Sequence, residues 1–235
     1  MAGRYDRQSS LLGEEGQRLL SKSKVGIAGC GGLGTNVATA LASAGIGGMI
    51  LADGDVPDIT NLNRQYVFRE DDGRNKAEIL TEWIRTMNPS VEAEAFTAFL
   101  NADNIDVFDG CDVLVDCLDD ATSRKLLNKY AVSKGKTLVH GGVNGFFGQV
   151  TVVIPGRTPC LECIMPDSDR KHVPSISPAV SMIGSLQASE VIKTVAGHGE
   201  SLAGRLWFMD MNDCFSEIVN VKRRQGCPVC DRLFR

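Results

Sequence analysis

Short apolar runs alternate along the first 145 residues with longer segments whose apolar positions recur every three or four residues. Residues 24–28, 49–52, 113–115 and 137–139 are runs of the kind that form strands covered on both faces. Residues 91–96 instead alternate apolar and acidic side chains, which predicts a strand near a sheet edge. Residues 33–44, 74–87 and 121–133 predict helices; in the second, Ala77, Leu80, Ile84 and Met87 share one face. This order predicts an α/β fold, a Rossmann-like, doubly wound, mainly parallel sheet with right-handed crossovers. After residue 145 the pattern changes. Residues 149–154, 206–209 and 218–221 read as strands that extend the sheet in mixed or antiparallel fashion, and 181–196 as a helix. Residues 155–178 are Pro-rich and polar, and predict a long crossover loop. No linker or repeat divides the chain, so 1–235 is expected to be a single domain.

Composition narrows the class. Hydrophobic residues at 43% and charged residues at 23% exclude disorder and coiled coil. A net charge of −4 and only 6% aromatics argue against nucleic acid as a partner. Residues 25–52 carry no charge, but eight glycines interrupt them, so strand, turn and helix are expected rather than a membrane span. The N-terminus has no apolar signal core, which leads to an expected cytoplasmic location. There the eight cysteines would be reduced or metal-bound rather than paired in disulfides.

Gly29-Cys-Gly31-Gly32-Leu-Gly34 fits G-x-G-x-x-G, follows a strand and opens a helix. Backbone N–H groups at such a helix start suit a phosphate, and Asp53, 19 residues after Gly34, suits ribose hydroxyls. Residues 1–145 are therefore read as a nucleotide-binding half, and 146–235 as sheet extension, crossover loop and metal site. The motif alone leaves dinucleotide and ATP open, and the G-x-x-x-x-G-K-[ST] of P-loop nucleotidases is absent. Arg64 and Lys76 follow closely and tilt the choice toward a triphosphate, which needs several cations. Their plain alternative is a pair of surface cations. Asp119 and Asp120 follow the third apolar strand, where a carboxylate suits Mg²⁺, or where either can cap the next helix. Asp116 is read as structural.

Arg4-Tyr5-Asp6-Arg7-Gln8, the glycine turn, Asp53-Gly-Asp55, Asn61-Leu-Asn-Arg64-Gln65, Gly73-x-x-Lys76 and Asp116-x-x-Asp119 occur in an order that resembles the ThiF/MoeB/HesA family, prokaryotic relatives of ubiquitin-activating enzymes. The resemblance covers essentially the whole chain. It implies an adenylyltransferase that uses Mg-ATP to activate a carboxylate, releasing pyrophosphate. The implied substrate is the C-terminal glycine of a ubiquitin-like sulfur-carrier protein. By resemblance, the nucleotide is held by Gly29, Gly31, Gly32, Gly34, Asp53, Asp55, Asn61, Arg64, Gln65, Lys76, Leu118, Asp119 and Asp120, with Asp119 on Mg²⁺. Arg64, Lys76 and Asp119 are the implied catalytic residues, joined by Arg7, which is implied to reach the ATP of the other subunit of a homodimer.

Cys160-x-x-Cys163 and Cys227-x-x-Cys230 are separated by 63 residues, and each pair can place two thiolates on one ion. Structural Zn²⁺ is expected, with redox pairs the rival. Cys30, Cys111, Cys117 and Cys214 are expected to be small buried hydrophobes. The family's sulfur-carrier activators often carry a further cysteine in the crossover loop; residues 164–183 have none. A serine with His172 is a remote substitute, while His140 and His198 read as structural. The missing thiol makes a small-molecule carboxylic acid the alternative substrate. It also points to a separate thiol- or sulfur-donating protein as partner. The chain ends at Arg235, so no appended sulfurtransferase domain is expected. An NAD-dependent oxidoreductase is the alternative of another class, and Arg64, Lys76 and Asp119 speak against it.

Overall fold

The computed structural model describes residues 3–70, 73–165 and 174–234. One eight-stranded sheet organises them, in the order β3-β2-β1-β4-β5-β6-β7-β8. Strands β1 (Lys24–Ala28), β2 (Gly48–Ala52), β3 (Glu92–Phe96), β4 (Val113–Asp116) and β5 (Thr137–Asn144) run parallel. From β5 the chain turns at Gly145 and continues antiparallel through β6 (Phe147–Val153), β7 (Arg205–Asp210) and β8 (Phe215–Asn220). The change of pattern near residue 145 is thus the change from crossovers to hairpins, and β3 occupies the edge expected of its alternating sequence.

Helices cover both faces. On one face α2 (Gly32–Ala44), α3 (Lys76–Met87) and α6 (Ser177–Ala196) bury Val37, Leu41, Leu80, Ile84, Ile183 and Val191 against Val25 and Ile27. On the other, α4 (Ala121–Lys134) and the short α5 (Leu161–Ile164) pack Leu127, Ala131 and Leu161 with Phe108 and Leu114. Alternate residues of β1 point to opposite faces, so a run with almost no polar residue is what a doubly covered strand requires.

The structure adds a helix that periodicity did not predict: α1 (Asp6–Leu20). Gly13, with φ of 74°, kinks it, and only Gly16 and Leu20 are buried, so its apolar stripe is too thin to read. The final helix begins at Ser177, four residues before the expected start, with Pro178 in its first turn where the missing N–H costs nothing. Residues 167–172 of the crossover loop, including His172, lie outside the described residues. Among the described residues, no helix is long and apolar enough to cross a membrane.

Candidate nucleotide site and cysteine cluster

β1 is the point where strand order reverses, with β2 on one side and β4 on the other. Ala28 pairs with Ala52 and with Asp116, so Gly29, Asp53 and Cys117 emerge side by side at the carboxyl edge of the sheet. Ligands of open α/β sheets bind at such a switch point. Gly29 has φ of +92°, and a Cβ there would lie 2.7 Å from the Cys117 carbonyl oxygen. A Cβ on Gly34 would lie 1.9 Å from the Gly29 oxygen. The glycines therefore let α2 start directly on the strand end. Gly31 caps α2 without a side chain, so N–H groups at its start remain available to an anion.

The acid after β2 clasps this turn. Asp53 Oδ2 accepts the Cys30 N–H at 2.7 Å and Oδ1 accepts that of Asp55 at 2.8 Å. Burial pushes the Asp53 carboxyl up, against the pull of those two N–H groups and of Lys76. Asn75 donates to the Asp53 carbonyl at 3.0 Å while its Oδ1 caps α3. The next residue, Lys76, is thereby fixed as the first of α3, with its side chain only 7% exposed and Nζ 3.3 Å from Asp55.

A 3₁₀ turn, Ile59–Asn61, brings the following segment back over the glycine turn. The Asp58 side chain accepts the Thr60 N–H, and the Asn61 side chain accepts that of Asp58. Arg64 donates to the Thr60 carbonyl and to Asn63, and its Cγ lies 3.4 Å from where a Cβ on Gly32 would be. Gln65 is buried, its Nε2 stands 3.3 Å from the same point on Gly31, and its Oε1 has no partner among the described residues.

On the β4 side, Asp119 is exposed beyond the strand end, whereas Asp120 caps α4 through the Ser123 N–H at 2.8 Å. Asp116, read as structural, proves to be the centre of a buried network. Its Oδ2 lies 2.7 Å from His140 Nδ1 and 3.1 Å from Arg124 Nε, and Oδ1 accepts the Leu118 N–H at 3.1 Å. Arg124 also donates to the Leu118 carbonyl. Burial alone would raise the Asp116 carboxyl, but Arg124 and His140 outweigh it and hold the carboxyl below its usual range. Burial lowers His140, so at neutral pH it is an uncharged ring donating from Nδ1 and facing Gln149 with Nε2.

The four CxxC sulfurs lie within 4.8 Å of one another. Cys160 and Cys227 are 3.7 Å apart, and Cys163 and Cys230 are 3.5 Å apart. Two thiolates on one tetrahedral zinc are about 3.8 Å apart, given Zn–S near 2.3 Å. The cluster thus fits a shared metal. It joins the base of the crossover loop to the C-terminal tail, beneath α4.

The sequence matches the ThiF family over residues 5–229. The chain belongs to the ThiF family. It is 37% identical over 238 residues to the SAMP-activating enzyme E1 of Haloferax volcanii, covering 97% of this chain and 88% of the relative. It is 34% identical to the sulfur carrier protein ThiS adenylyltransferase of Escherichia coli, covering 97% and 94%. Among solved structures, E. coli MccB with ATP superposes with a TM-score of 0.86 at 26% identity, over 98% of this chain and 74% of that one.

In this ThiF-family chain the structure gathers Gly29, Gly31, Gly32, Gly34, Asp53, Asp55, Arg64, Gln65 and Lys76 around one turn, with Leu118 and Asp119 on the neighbouring strand end. It does not bring Arg7 there. Tyr5 packs on Gly45 and Gln8 donates to the Ala44 carbonyl, so Arg7 stands at the far end of α2, roughly 20 Å along a 13-residue helix. Arg124, Asn75 and Gln187, which donates to the Asp116 carbonyl at 2.8 Å, were not read from sequence. Cys30, Cys111 and Cys117 are buried as expected; burial raises Cys111 to about 11 and Cys30 and Cys117 well above the usual thiol range. Cys214 corrects the expectation: it is exposed, with φ of 58°, in the turn between β7 and β8. A tight hairpin needs a positive φ there and leaves no room for a buried side chain.

Proposed function

We propose that the chain uses Mg-ATP to convert a carboxylate into an acyl adenylate, releasing pyrophosphate. That it is an adenylyltransferase follows from its family and relatives; the nucleotide, the metal ions and the acid are the proposal. The observation that carries it is Lys76. A buried lysine at the positive end of a helix is unfavourable by itself, and a triphosphate seated on the adjacent glycine turn would repay that cost. The ATP-bound relative supports the same reading.

In this reading the first N–H groups of α2 take phosphate oxygens, and Asp53 turns to the ribose. Gly31 and Gln65 line the phosphates. A carboxylate oxygen attacks the α-phosphorus, and the bond from that phosphorus to the bridging oxygen breaks. Pyrophosphate leaves. Lys76 and Arg64 offset charge that builds on the phosphoryl oxygens, so no protein nucleophile is required. Asp119, exposed and without a hydrogen bond or ion pair to other described residues, would hold Mg²⁺, which supplies further charge neutralisation when bound. Cys160, Cys163, Cys227 and Cys230 would hold Zn²⁺, which supplies structural cross-linking. Arg7 would serve the site of a second copy, because its own glycine turn is out of reach. Residues 1–235 act as one adenylation domain.

The preferred acid is the C-terminal glycine of a ubiquitin-like sulfur carrier, and the ThiS adenylyltransferase supports this choice. ATP–pyrophosphate exchange in the presence of candidate carriers and of small carboxylic acids tests both. A carrier with a C-terminal glycine is expected to drive exchange, and exchange driven only by small acids would reassign the substrate. Mass spectrometry of the same reactions under non-reducing, denaturing conditions should show acyl-AMP and no acyl adduct on the enzyme. A stoichiometric, thiol-labile adduct would end the idea that a separate protein supplies the accepting thiol, with exposed Cys214 the first place to look.

A further inference from the structure

A tetrathiolate zinc centre carries two net negative charges, and here Cys160, Cys227 and Cys230 are almost fully buried. Buried anionic sulfurs need N–H donors around them. The backbone supplies some: the N–H groups of Val229 and Cys230 face the Cys227 sulfur, and the N–H of Cys160 faces Cys230. For the Cys160 sulfur the side chain at hand lies on another element: Asn128 of α4, which bonds the backbone of the next residue, Leu161.

Asn128 is 1% exposed among apolar neighbours that include Leu127, Ala131 and Leu161. Its Oδ1 accepts the Leu161 N–H at 3.0 Å, which fixes which end of the amide is oxygen. Among the described residues its Nδ2 completes no hydrogen bond. A buried amide half-satisfied in this way is costly. The residue that precedes Leu161 in the chain is Cys160, whose thiol is a weak acceptor and whose metal-bound thiolate is a strong one.

We infer that Asn128 is a positioning residue for the knuckle, donating Nδ2–H to the Cys160 thiolate when the metal is bound. The inference rests on the reading of the four cysteines as a zinc site. It gives α4 a hold on both centres: Asn128 grips the knuckle, and Arg124, one turn earlier on the same helix, grips Asp116 and the Leu118 carbonyl at the nucleotide rim.

The test uses Co²⁺-substituted full-length protein and the Asn128→Leu variant. A hydrogen bond to a thiolate lowers the energy of the sulfur lone pair, so its loss should move the sulfur-to-cobalt charge-transfer band to longer wavelength. Metal affinity, measured against a chromophoric chelator, should fall about 10- to 100-fold. If Asn128 merely secures the Leu161 N–H, the band stays where it is, and a folded variant with unchanged band and affinity overturns the proposal. Wild-type protein decides the matter even if the variant does not fold. On loading with Zn²⁺, the Asn128 side-chain amide protons should shift downfield and exchange more slowly in NMR spectra. No response at Asn128 in protein that elemental analysis shows to hold one zinc per chain would overturn this inference alone. Absence of metal from protein purified with Zn²⁺ would overturn the zinc reading beneath it.

Discussion

Strand β1 is buried at four of five positions and has partners on both sides, whereas β8 exposes five of its six residues and, among the described residues, pairs only with β7. Both belong to one sheet. The chain crosses over a face of the sheet between β1 and each of its neighbours, so each strand end at the carboxyl edge is followed by a turn into a helix or loop. Those turns carry the glycines, Asp53 and Asp119. Between β6 and β8 the strands connect by hairpin or by the long crossover, and side chains on them meet solvent: Phe147, Phe215 and Ile218 are exposed. A binding site of this kind thus follows from connection type more than from strand content. The parallel half makes a switch point, and the antiparallel half cannot.

The contrast can be broken most sharply at the carboxyl edge. Asp119→Ala is expected to reduce ATP–pyrophosphate exchange about 100- to 1000-fold, on the scale of losing one charge-stabilising group. Because Asp119 is exposed, stability should move by no more than about 0.5 kcal/mol. On β8, Glu217→Ala should leave ATP affinity unchanged. Near-normal exchange by folded Asp119→Ala protein would remove this residue from the site.

A second, smaller effect concerns the distance of Arg7 from its own glycine turn. Mixing Arg7→Ala with Asp119→Ala chains gives heterodimers with one intact site, if Arg7 acts on the partner. After free subunit exchange, activity should recover to about a quarter of wild type, since half the dimers are mixed and each has one working site of two. No recovery in demonstrated heterodimers would place Arg7 outside the reaction.

The smallest expected effect tests the network that joins the halves, from Asp116 on β4 through His140 on β5 to Gln149 on β6. Burial lowers the pKa of His140 in the fold, so the unfolded chain takes up a proton near pH 6.5 that the folded chain refuses. Stability therefore rises with pH through this window and is lost on acidification. Lowering the pH from 7 to 5.5 should therefore cost stability through His140. Chemical denaturation of His140→Gln should show a smaller loss over that range, and an unchanged slope would mean that another group titrates.

Legibility followed the same division. The strands β1, β2 and β4 were readable because double burial writes an apolar run, and the glycine turn because its backbone leaves no room for a Cβ. Helix α1 was not, because Gly13 and Gly16 interrupt a stripe only one residue wide. The Asp116 network was hidden for another reason. His140 lies 24 residues from Asp116 and Gln187 lies 71 residues away, and no local pattern reports a partner at that distance. The i, i+4 spacing of Arg124 and Asn128 on α4 was the available clue to an inward polar face. Cys214 departs from the expectation because cysteine as a residue type favours burial while a hairpin tip forbids it.

The parallel centre of the sheet has a kinetic consequence. The N–H of Lys24, opening β1, reaches the Asp112 carboxylate just before β4, 88 residues away, whereas Asp210 and Phe215 pair across a single tight hairpin. Closing a long loop costs more chain entropy than closing a short one, and pairings between distant segments form late. The β7–β8 hairpin can assemble on local contacts alone, while β1 waits for β2 and, much later in the chain, β4 to dock on its two sides. In pulse-labelled refolding, amides of β7 and β8 should therefore gain protection before those of β1 and β4. The strand ends that hold the glycine turn would be the last part of the molecule to take shape, and ligand could stabilise only a chain that has already finished folding.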